Sequence, residues 1–448
     1  MDSALNSALH PDSWRSKTWE GTGEDVPNRL LHDIWDSNKE LGRKGSALTP
    51  PPLLTDTVYG LFGLCIDLDR QMRPFWDGYR SHFATVGITL CELRSNKWWL
   101  PLCTAPSPYP YATRYAQEGG ASDSRRLPAK IACGQDVQGR DVIIKLVDKG
   151  TMEHQIYEYL SGCEALYNSD TPMCVLPPTA ILSSPYKFTF VAMPMWGYKL
   201  SIQQFSTIGQ VFTFIRCALT GLAFLHEHRI AHRDIHESNM LVNWYCGDDK
   251  LDHCSHLLEE HRRSQAAIYA LFDYDLALQL PPETDLRNCR RPSEEAFTGK
   301  AMYQPADIYQ GEWYYNPYAF DVACLGNMFL YHFIEAIPIA PLLAPLFGKM
   351  TTHIIGDRFT AAEALDFFRD IEAGSQSTLL DQGVVLEPNF EALEDPSSYW
   401  SRLRPEFQAS WYSHRPPPLS WTIRLLRWLN TFRVGCTVIT HVRRFFRI

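Results

Sequence analysis

The stretch from His232 to Asn239 carries the side chains best suited to chemistry. Asp234 stands five residues before Asn239, in the pattern H-R-D-x-x-x-x-N. An aspartate can accept the proton of a hydroxyl and an asparagine oxygen can bind Mg²⁺, the two functions that phosphoryl transfer needs. Apolar residues at helical spacing predict a helix over 212–228, and the apolar run 240–242 predicts a strand. A loop between a helix and a strand would hold the pair rigidly.

A lysine and a glutamate form a second candidate pair. The alternation over 129–133 and 141–147, with a turn between, predicts a hairpin that places Lys145 inside an apolar strand. A buried ammonium is costly unless it is paired. Glu153 opens a predicted helix eight residues later, where the helix dipole favours an acid. We therefore expect Lys145 and Glu153 to form an ion pair.

Two further acids follow the apolar run 268–272. Asp273 lies at the end of this predicted strand and Asp275 comes two residues later. Neighbouring carboxylates repel each other unless a cation lies between them, and carboxylate oxygens suit Mg²⁺. The alternative is an exposed acidic turn. The polar stretch 244–265 holds several cysteines and histidines, but their spacing fits no standard zinc site and predicts a solvated loop.

Composition restricts the class of protein. The chain has 448 residues, of which 45% are hydrophobic, so a large core is expected. A net charge of −9 argues against a nucleic-acid partner. The 12 cysteines include no C-x-x-C pair, and residues 1–6 show no secretory signal, so reduced thiols in an intracellular, cytoplasmic protein are expected, with a nuclear location left open.

Taken in order, these motifs resemble those of the eukaryotic protein kinase family. The strand 142–145 is similar to V-A-I-K, Glu153 to the glutamate of the αC helix, 232–239 to the catalytic loop and 273–275 to D-F-G. The residues of several motifs are similar to those of the divergent kinase-like family of mushroom-forming (basidiomycete) fungi.

Later motifs extend the resemblance to residues 115–372. Residues 320–326 resemble the αF helix, whose aspartate ties down the backbone of the catalytic loop. Residues 357–365 resemble the R-x-T-x-x-E-A-L element, and 303–307 fall where A-P-E belongs. The resemblance implies an ion pair between Asp307 and Arg358.

The fold that the resemblance implies is α+β and two-lobed. A kinase-like domain would span 113–372, with a small β-rich N-lobe to about residue 195 and a larger helical C-lobe after it. Residues 1–112 would form an N-terminal extension that is partly disordered, and 373–448 a C-terminal tail with a basic amphipathic helix.

The implied activity is phosphoryl transfer from Mg-ATP to a Ser/Thr hydroxyl of a protein substrate. Asp234 would be the catalytic base, and Lys145 would hold the α/β-phosphates, oriented by Glu153. Asn239 and Asp273 would bind Mg²⁺ and thereby the nucleotide. Three apolar residues would line the adenine: Met193 as the gatekeeper, Met195 in the hinge 194–196, and Leu241 beneath the base.

The segment 273–307 would be the activation segment. Arg233, beside the base, suggests that phosphate on this segment could order it. The available hydroxyls are Thr284, Ser293, Thr298 and Tyr303.

Several departures from the family pattern keep two alternatives open. No G-x-G-x-x-G precedes Lys145, Ile143 replaces a small residue, and Asp275 replaces the D-F-G glycine. These changes favour a pseudokinase scaffold with a degenerate nucleotide site. His236 stands where protein kinases usually carry a lysine, and it makes the loop similar to H-x-D-x-H-x-x-N of small-molecule phosphotransferases.

The C-terminal tail has two interpretations. Apolar residues fall on one face of a predicted helix, with Arg424 and Arg427 on the other side. The helix would either dock on the C-lobe or give weak contact with an anionic membrane. The apolar residues are Trp421, Leu425, Trp428, Leu429 and Phe432.

Overall fold

The protein is mixed α+β, in agreement with the fold class expected from the sequence. It forms two compact units: unit 1 holds residues up to 169, 176–197 and 244–255, and unit 2 holds 170–175, 198–243 and 256–448. The predicted disorder of residues 1–54 lies outside the described residues. A computed structural model describes residues 75–94, 97–101, 108–115, 123–128, 130–184, 186–198, 200–247, 254–297, 299, 301–310, 312–395, 398–430, 438, 439 and 442.

Unit 1 is built on an antiparallel five-stranded sheet in the order β1-β6-β7-β9-β8. A three-stranded sheet, β2-β3-β5, and a parallel pair, β4 with β12, complete its strands. Its elements are β1 (Thr89–Leu90), β2 (Glu92–Arg94), β3 (Lys97–Leu100), β4 (Thr113–Arg114), β5 (Asp123–Arg125), β6 (Ile131–Gln135), β7 (Asp141–Asp148), β8 (Ala180–Ser183), β9 (Phe188–Pro194), β12 (Trp244–Tyr245), α1 (Arg80–Thr85) and α2 (Met152–Ser161).

The predicted hairpin is β6 and β7, and one carboxylate defines its turn. Asp136 Oδ1 accepts the main-chain N–H groups of Gln138 and Arg140, both at 2.9 Å, and its Oδ2 pairs with the Arg140 guanidinium. Gly139 has φ +75°, a conformation that glycine adopts without strain. The turn fixes the register in which Lys145 lies opposite Ile131 on one side and Val191 on the other.

Residues 75–100, which the sequence assigned to an extension, add a helix and three strands to unit 1. Strand β1 pairs with β6, and α1 with the helical residues 75–78 before it supplies an aromatic cluster. The rings of Phe75, Trp76 and Phe83 lie 6.3, 5.9 and 4.9 Å from that of Phe190 on β9. All four side chains are buried.

Part of the expected solvated loop is instead core. Strand β12 pairs with β4, and the Tyr245 hydroxyl donates to Asp141 Oδ2 at 2.6 Å. Arg114 Nη1 donates to the same oxygen at 2.9 Å, and both charged side chains are buried. The prediction of a solvated loop was wrong at Trp244 and Tyr245. These large side chains stand at the edge of a polar stretch of sequence, but in the fold they pack beside a buried carboxylate and a buried arginine.

Unit 2 is mainly helical. Helix α3 (Ile208–Glu227) is long and apolar enough to cross a membrane by those two criteria, and 72% of its apolar window is buried inside the protein. Helix α5 is buried along almost its whole length. The elements are α3 (Ile208–Glu227), α4 (Ser255–Arg263), α5 (Pro317–Phe333), α6 (Leu343–Thr351), α7 (Ala361–Ala373), α8 (Ser377–Leu380), α9 (Glu391–Glu394), α10 (Pro405–Ser410), α11 (Trp421–Asn430), β10 (Ile230–Ala231), β11 (Met240–Val242), β13 (Tyr269–Leu271), β14 (Leu278–Gln279), β15 (Arg291–Pro292) and β16 (Tyr314–Tyr315).

Candidate active site

In unit 1, Lys145 and Glu153 form the ion pair expected from the sequence. Lys145 Nζ lies 2.5 Å from Glu153 Oε1, and the two side chains are 9% and 12% exposed. Thr151 caps α2 by accepting the N–H of His154, which places Glu153 in the first turn of the helix. The helix dipole and the ammonium therefore both stabilise the carboxylate.

The apolar candidates of unit 1 lie on and just after β9. Met193 and Met195 are buried, and Ile143 on β7 lies directly opposite Met193. The main-chain N–H of Met195 donates to the carbonyl of Asp141 at 3.1 Å. Trp196 Nε1 donates to the carbonyl of Pro110 at 2.7 Å, which fixes the segment after the strand.

In unit 2, the catalytic-loop motif is anchored by a buried carboxylate on α5. Asp321 is fully buried, and its two oxygens accept the main-chain N–H groups of His232 and Arg233, each at 2.7 Å. His226 Nε2 lies 3.1 Å from Asp321 Oδ2. Asp321 thus fixes the two residues that precede Asp234, the role that the resemblance implied.

Within this loop, Asp234, His236 and Asn239 converge. Asn239 Nδ2 donates to the carbonyl oxygen and to Oδ2 of Asp234, both at 2.9 Å. His236 Nε2 lies 3.3 Å from the same Oδ2. Because His236 Nδ1 accepts the N–H of Ser238 at 3.2 Å, the neutral ring carries its proton on Nε2, the nitrogen nearer to Asp234. The Asn239 amide therefore orients the carboxylate, and the His236 ring lies beside it.

Asp273 is held beside the loop by hydrogen bonds to its neighbour Phe272. The N–H of Phe272 donates to the carbonyl of Asn239 at 3.2 Å, and His232 Nε2 lies 3.0 Å from the carbonyl of Phe272. Leu241 is buried in β11, opposite Ala270 of β13. The strand that the sequence predicted before Asp273 is present as β13, which ends two residues before this aspartate.

Two residues, the one next to Asp234 and Asp273 itself, have strained backbone conformations. Arg233 and Asp273 have φ values of +67° and +69°, a region that residues other than glycine rarely adopt. Such strain persists only where surrounding contacts enforce it, and it clusters at functional sites.

The donor set suits a hard divalent cation. Both N–H groups of the Asn239 amide are directed to Asp234, so the amide oxygen Oδ1 points elsewhere and is available to a cation. With the Asp273 carboxylate it supplies the oxygen ligands that Mg²⁺ prefers. Asn239 and Asp273 are thus of residue types that could hold a magnesium ion.

The ion pair implied between distant motifs is present. Arg358 Nη2 lies 3.1 Å from Asp307 Oδ1, and the arginine side chain is buried. The guanidinium also donates to the carbonyls of Thr352 and Ala319. Thr360 and Glu363 form a capping box that starts α7, which accounts for the T-x-x-E part of the motif.

Not all of the hydroxyls that the sequence offered as phosphorylation sites in the activation segment can be assigned that role in the structure. Tyr303 is fully buried, so it is inaccessible to modification, and Thr298 lies outside the described residues. The Arg233 guanidinium donates to the carbonyl of Glu295. Gly299 has φ +78°, and a Cβ built on it would lie 2.7 Å from Asp234 Oδ1, so the segment rests directly on the candidate base.

A buried polar network lies behind the loop, and the sequence analysis did not predict it. The Tyr303 hydroxyl lies 3.3 Å from His332 Nε2, and the Glu237 carboxylate is close enough to shift its pKa. Burial and, next, the Glu237 carboxylate raise the pKa of Tyr303 well above its ordinary value, so the phenol keeps its proton at neutral pH. The signal available in the sequence was a histidine, His332, inside the mostly apolar helix α5.

Neither a protein-family model nor a curated protein sequence matches the chain.

Proposed function

We propose that the protein is an ATP-dependent protein kinase with a divergent two-lobed kinase-like fold, unit 1 being the small lobe and unit 2 the large lobe. The observation that carries the proposal is the Asp234–Asn239 pair on a loop anchored by the buried carboxylate of Asp321. The Asp307–Arg358 ion pair adds support, because the resemblance required it across 51 positions of the chain.

Each candidate residue has a defined task in this proposal. Asp234, oriented by Asn239 and with the His236 ring beside it, accepts the proton of the acceptor hydroxyl. Asn239 and Asp273 hold Mg²⁺, which, when bound, neutralises charge on the phosphates. Lys145, oriented by Glu153, neutralises the nucleotide phosphates as well. Since the transition state is loose, positioning and charge neutralisation account for most of the rate enhancement.

Two other functions each have one supporting observation. A pseudokinase scaffold is favoured by the approach of Gly299 to Asp234 and by the absence of a G-x-G-x-x-G motif from the sequence. A small-molecule phosphotransferase is favoured by the contact of His236 with Asp234. The buried Asp307–Arg358 pair argues for the protein kinase over the latter, because peptide-directed kinases use that region to hold their substrate.

The decisive experiment is Mg-ATP turnover by the full chain, on itself and on a generic protein substrate. Wild type should transfer phosphate, and Asp234→Asn should lose at least about a hundredfold of the rate. The matched control is Asp366→Asn, an exposed aspartate in a surface pair with Arg369, which should keep the wild-type rate. Equal rates for wild type and Asp234→Asn would refute catalysis by this loop.

Nucleotide binding separates the kinase from a scaffold that binds no ATP. A ligand that binds only the native state raises stability by mass action, so millimolar Mg-ATP should raise the unfolding temperature of wild type. Lys145→Met should reduce that rise. A wild-type protein without turnover and without a thermal shift would support the scaffold.

A further inference from the structure

The last described helix, α11, presents an apolar face to solvent. Trp421, Leu425 and Trp428 are 75%, 44% and 58% exposed. They recur at positions i, i+4 and i+7, so they lie on one side of the helix. Ser420 Oγ accepts the N–H of Ile423 at 3.2 Å and caps the start of the helix.

The opposite side of α11 faces the protein. The helix contacts residues 306–310 of unit 2, and Ile423, Leu426 and Leu429 are half-buried. Docking therefore uses one apolar side and leaves the two tryptophans outside. The two interpretations of the tail concern different faces of the same helix.

The charge of the C-terminal sequence indicates which kind of partner would bind the exposed face of α11. The chain as a whole carries −9, yet the sequence after Arg415 contains six arginines and no Asp, Glu or Lys. Arg424 is exposed beside the tryptophans and not on the opposite side of the helix, where the sequence pattern predicted it. Tryptophan prefers the boundary between lipid headgroups and acyl chains, and clustered arginines are attracted to anionic lipid. The binding strength of an interfacial helix scales with its buried apolar area plus its attraction to anionic lipid, and both contributions are present here.

We propose that α11 is a membrane-contact helix that lies on an anionic lipid surface through Trp421, Leu425 and Trp428. The arginines that follow Arg415 would supply the electrostatic attraction. This inference goes beyond the proposed phosphoryl transfer and does not depend on it.

The test is vesicle sedimentation of the full chain. Vesicles of phosphatidylcholine mixed with phosphatidylserine should pellet the protein, and vesicles of phosphatidylcholine alone should leave it in the supernatant. The double substitution Trp421→Ala with Trp428→Ala should weaken binding at least about tenfold. Added salt should weaken it too, because salt screens the arginines.

The matched control is Trp313→Ala, a tryptophan that is 41% exposed outside the helix and should leave binding unchanged. Thermal unfolding of each variant checks that the fold is intact. Three results would overturn the inference: no pelleting with phosphatidylserine, equal pelleting with both vesicle types, or wild-type binding by the double variant. Binding to a single-stranded oligonucleotide but to no vesicle would overturn it as well, and would identify a nucleic-acid partner.

Discussion

Removal of the Asp321 carboxylate should release the catalytic loop. In Asp321→Ala, the main-chain N–H groups of His232 and Arg233 lose their acceptors in a fully buried place. Each orphaned buried donor costs about 1–3 kcal/mol, so the closed loop loses about 2–6 kcal/mol relative to an open, solvated one. Asp321→Asn retains one acceptor oxygen and should lose about half as much.

Hydrogen exchange measures this loss where it occurs. Amide exchange in a peptide that covers 230–240 should rise at least about thirtyfold in Asp321→Ala, which corresponds to about 2 kcal/mol of local opening free energy. A peptide that covers 141–148 in unit 1 is the internal control and should exchange as in wild type. Asp366→Asn should change neither peptide, because that side chain is exposed.

The reasoning fails if the 230–240 peptide of Asp321→Ala exchanges within about threefold of wild type. It also fails if exchange rises equally in both peptides, because the carboxylate would then support the whole fold rather than the loop. A selective rise with loss of turnover would link the anchor to the position of Asp234.

Three further predictions concern charge, backbone and ring geometry. Lys145→Met should destabilise the protein by about 3–5 kcal/mol in urea unfolding, since it leaves Glu153 buried and unpaired, and Glu153→Gln should restore much of that loss. Gly299→Ala should lower turnover at least about tenfold, because its Cβ would displace Asp234 Oδ1 and its φ is positive. His236→Gln, which keeps a donor at the Nε2 position, should retain a kcat several-fold higher than His236→Asn, which keeps only the acceptor for the Ser238 N–H. Similar kcat values for these two variants would contradict the assigned tautomer.

Controls for these variants are available in the chain. Gly356→Ala adds a Cβ that meets no atom within 4 Å and should leave turnover unchanged. If it lowers turnover as much as Gly299→Ala, the loss is a general effect of removing glycine. If Lys145→Met and Lys145→Met with Glu153→Gln are equally unstable, the ion pair is not the source of the instability.

Local patterns in the sequence were enough to predict most elements near the site. The hairpin with Lys145, the helix with Glu153 and the strand 240–242 occur within a few residues of their expected positions, because period and turn chemistry are local properties. The Asp307–Arg358 pair came from the resemblance, since no local pattern joins residues 51 apart.

The remaining features depend on tertiary contacts. Whether Trp244 and Tyr245 are core or loop is decided by the buried Asp141 and Arg114 beside them. The network of Glu237, Tyr303 and His332 joins three distant segments. The residue types alone do not predict which side chains will be in contact. The positive φ of Asp273 is likewise imposed by its surroundings.

The aromatic cluster of residues 75–83 decides where the protein can be shortened. Expression of residues 113–448 alone, the boundary that the motifs suggest, would delete Phe75, Trp76 and Phe83 and uncover Phe190 on β9. It would also remove the partner of β6 and turn that strand into a sheet edge, which favours aggregation. A soluble fragment for crystallisation should therefore begin before residue 75.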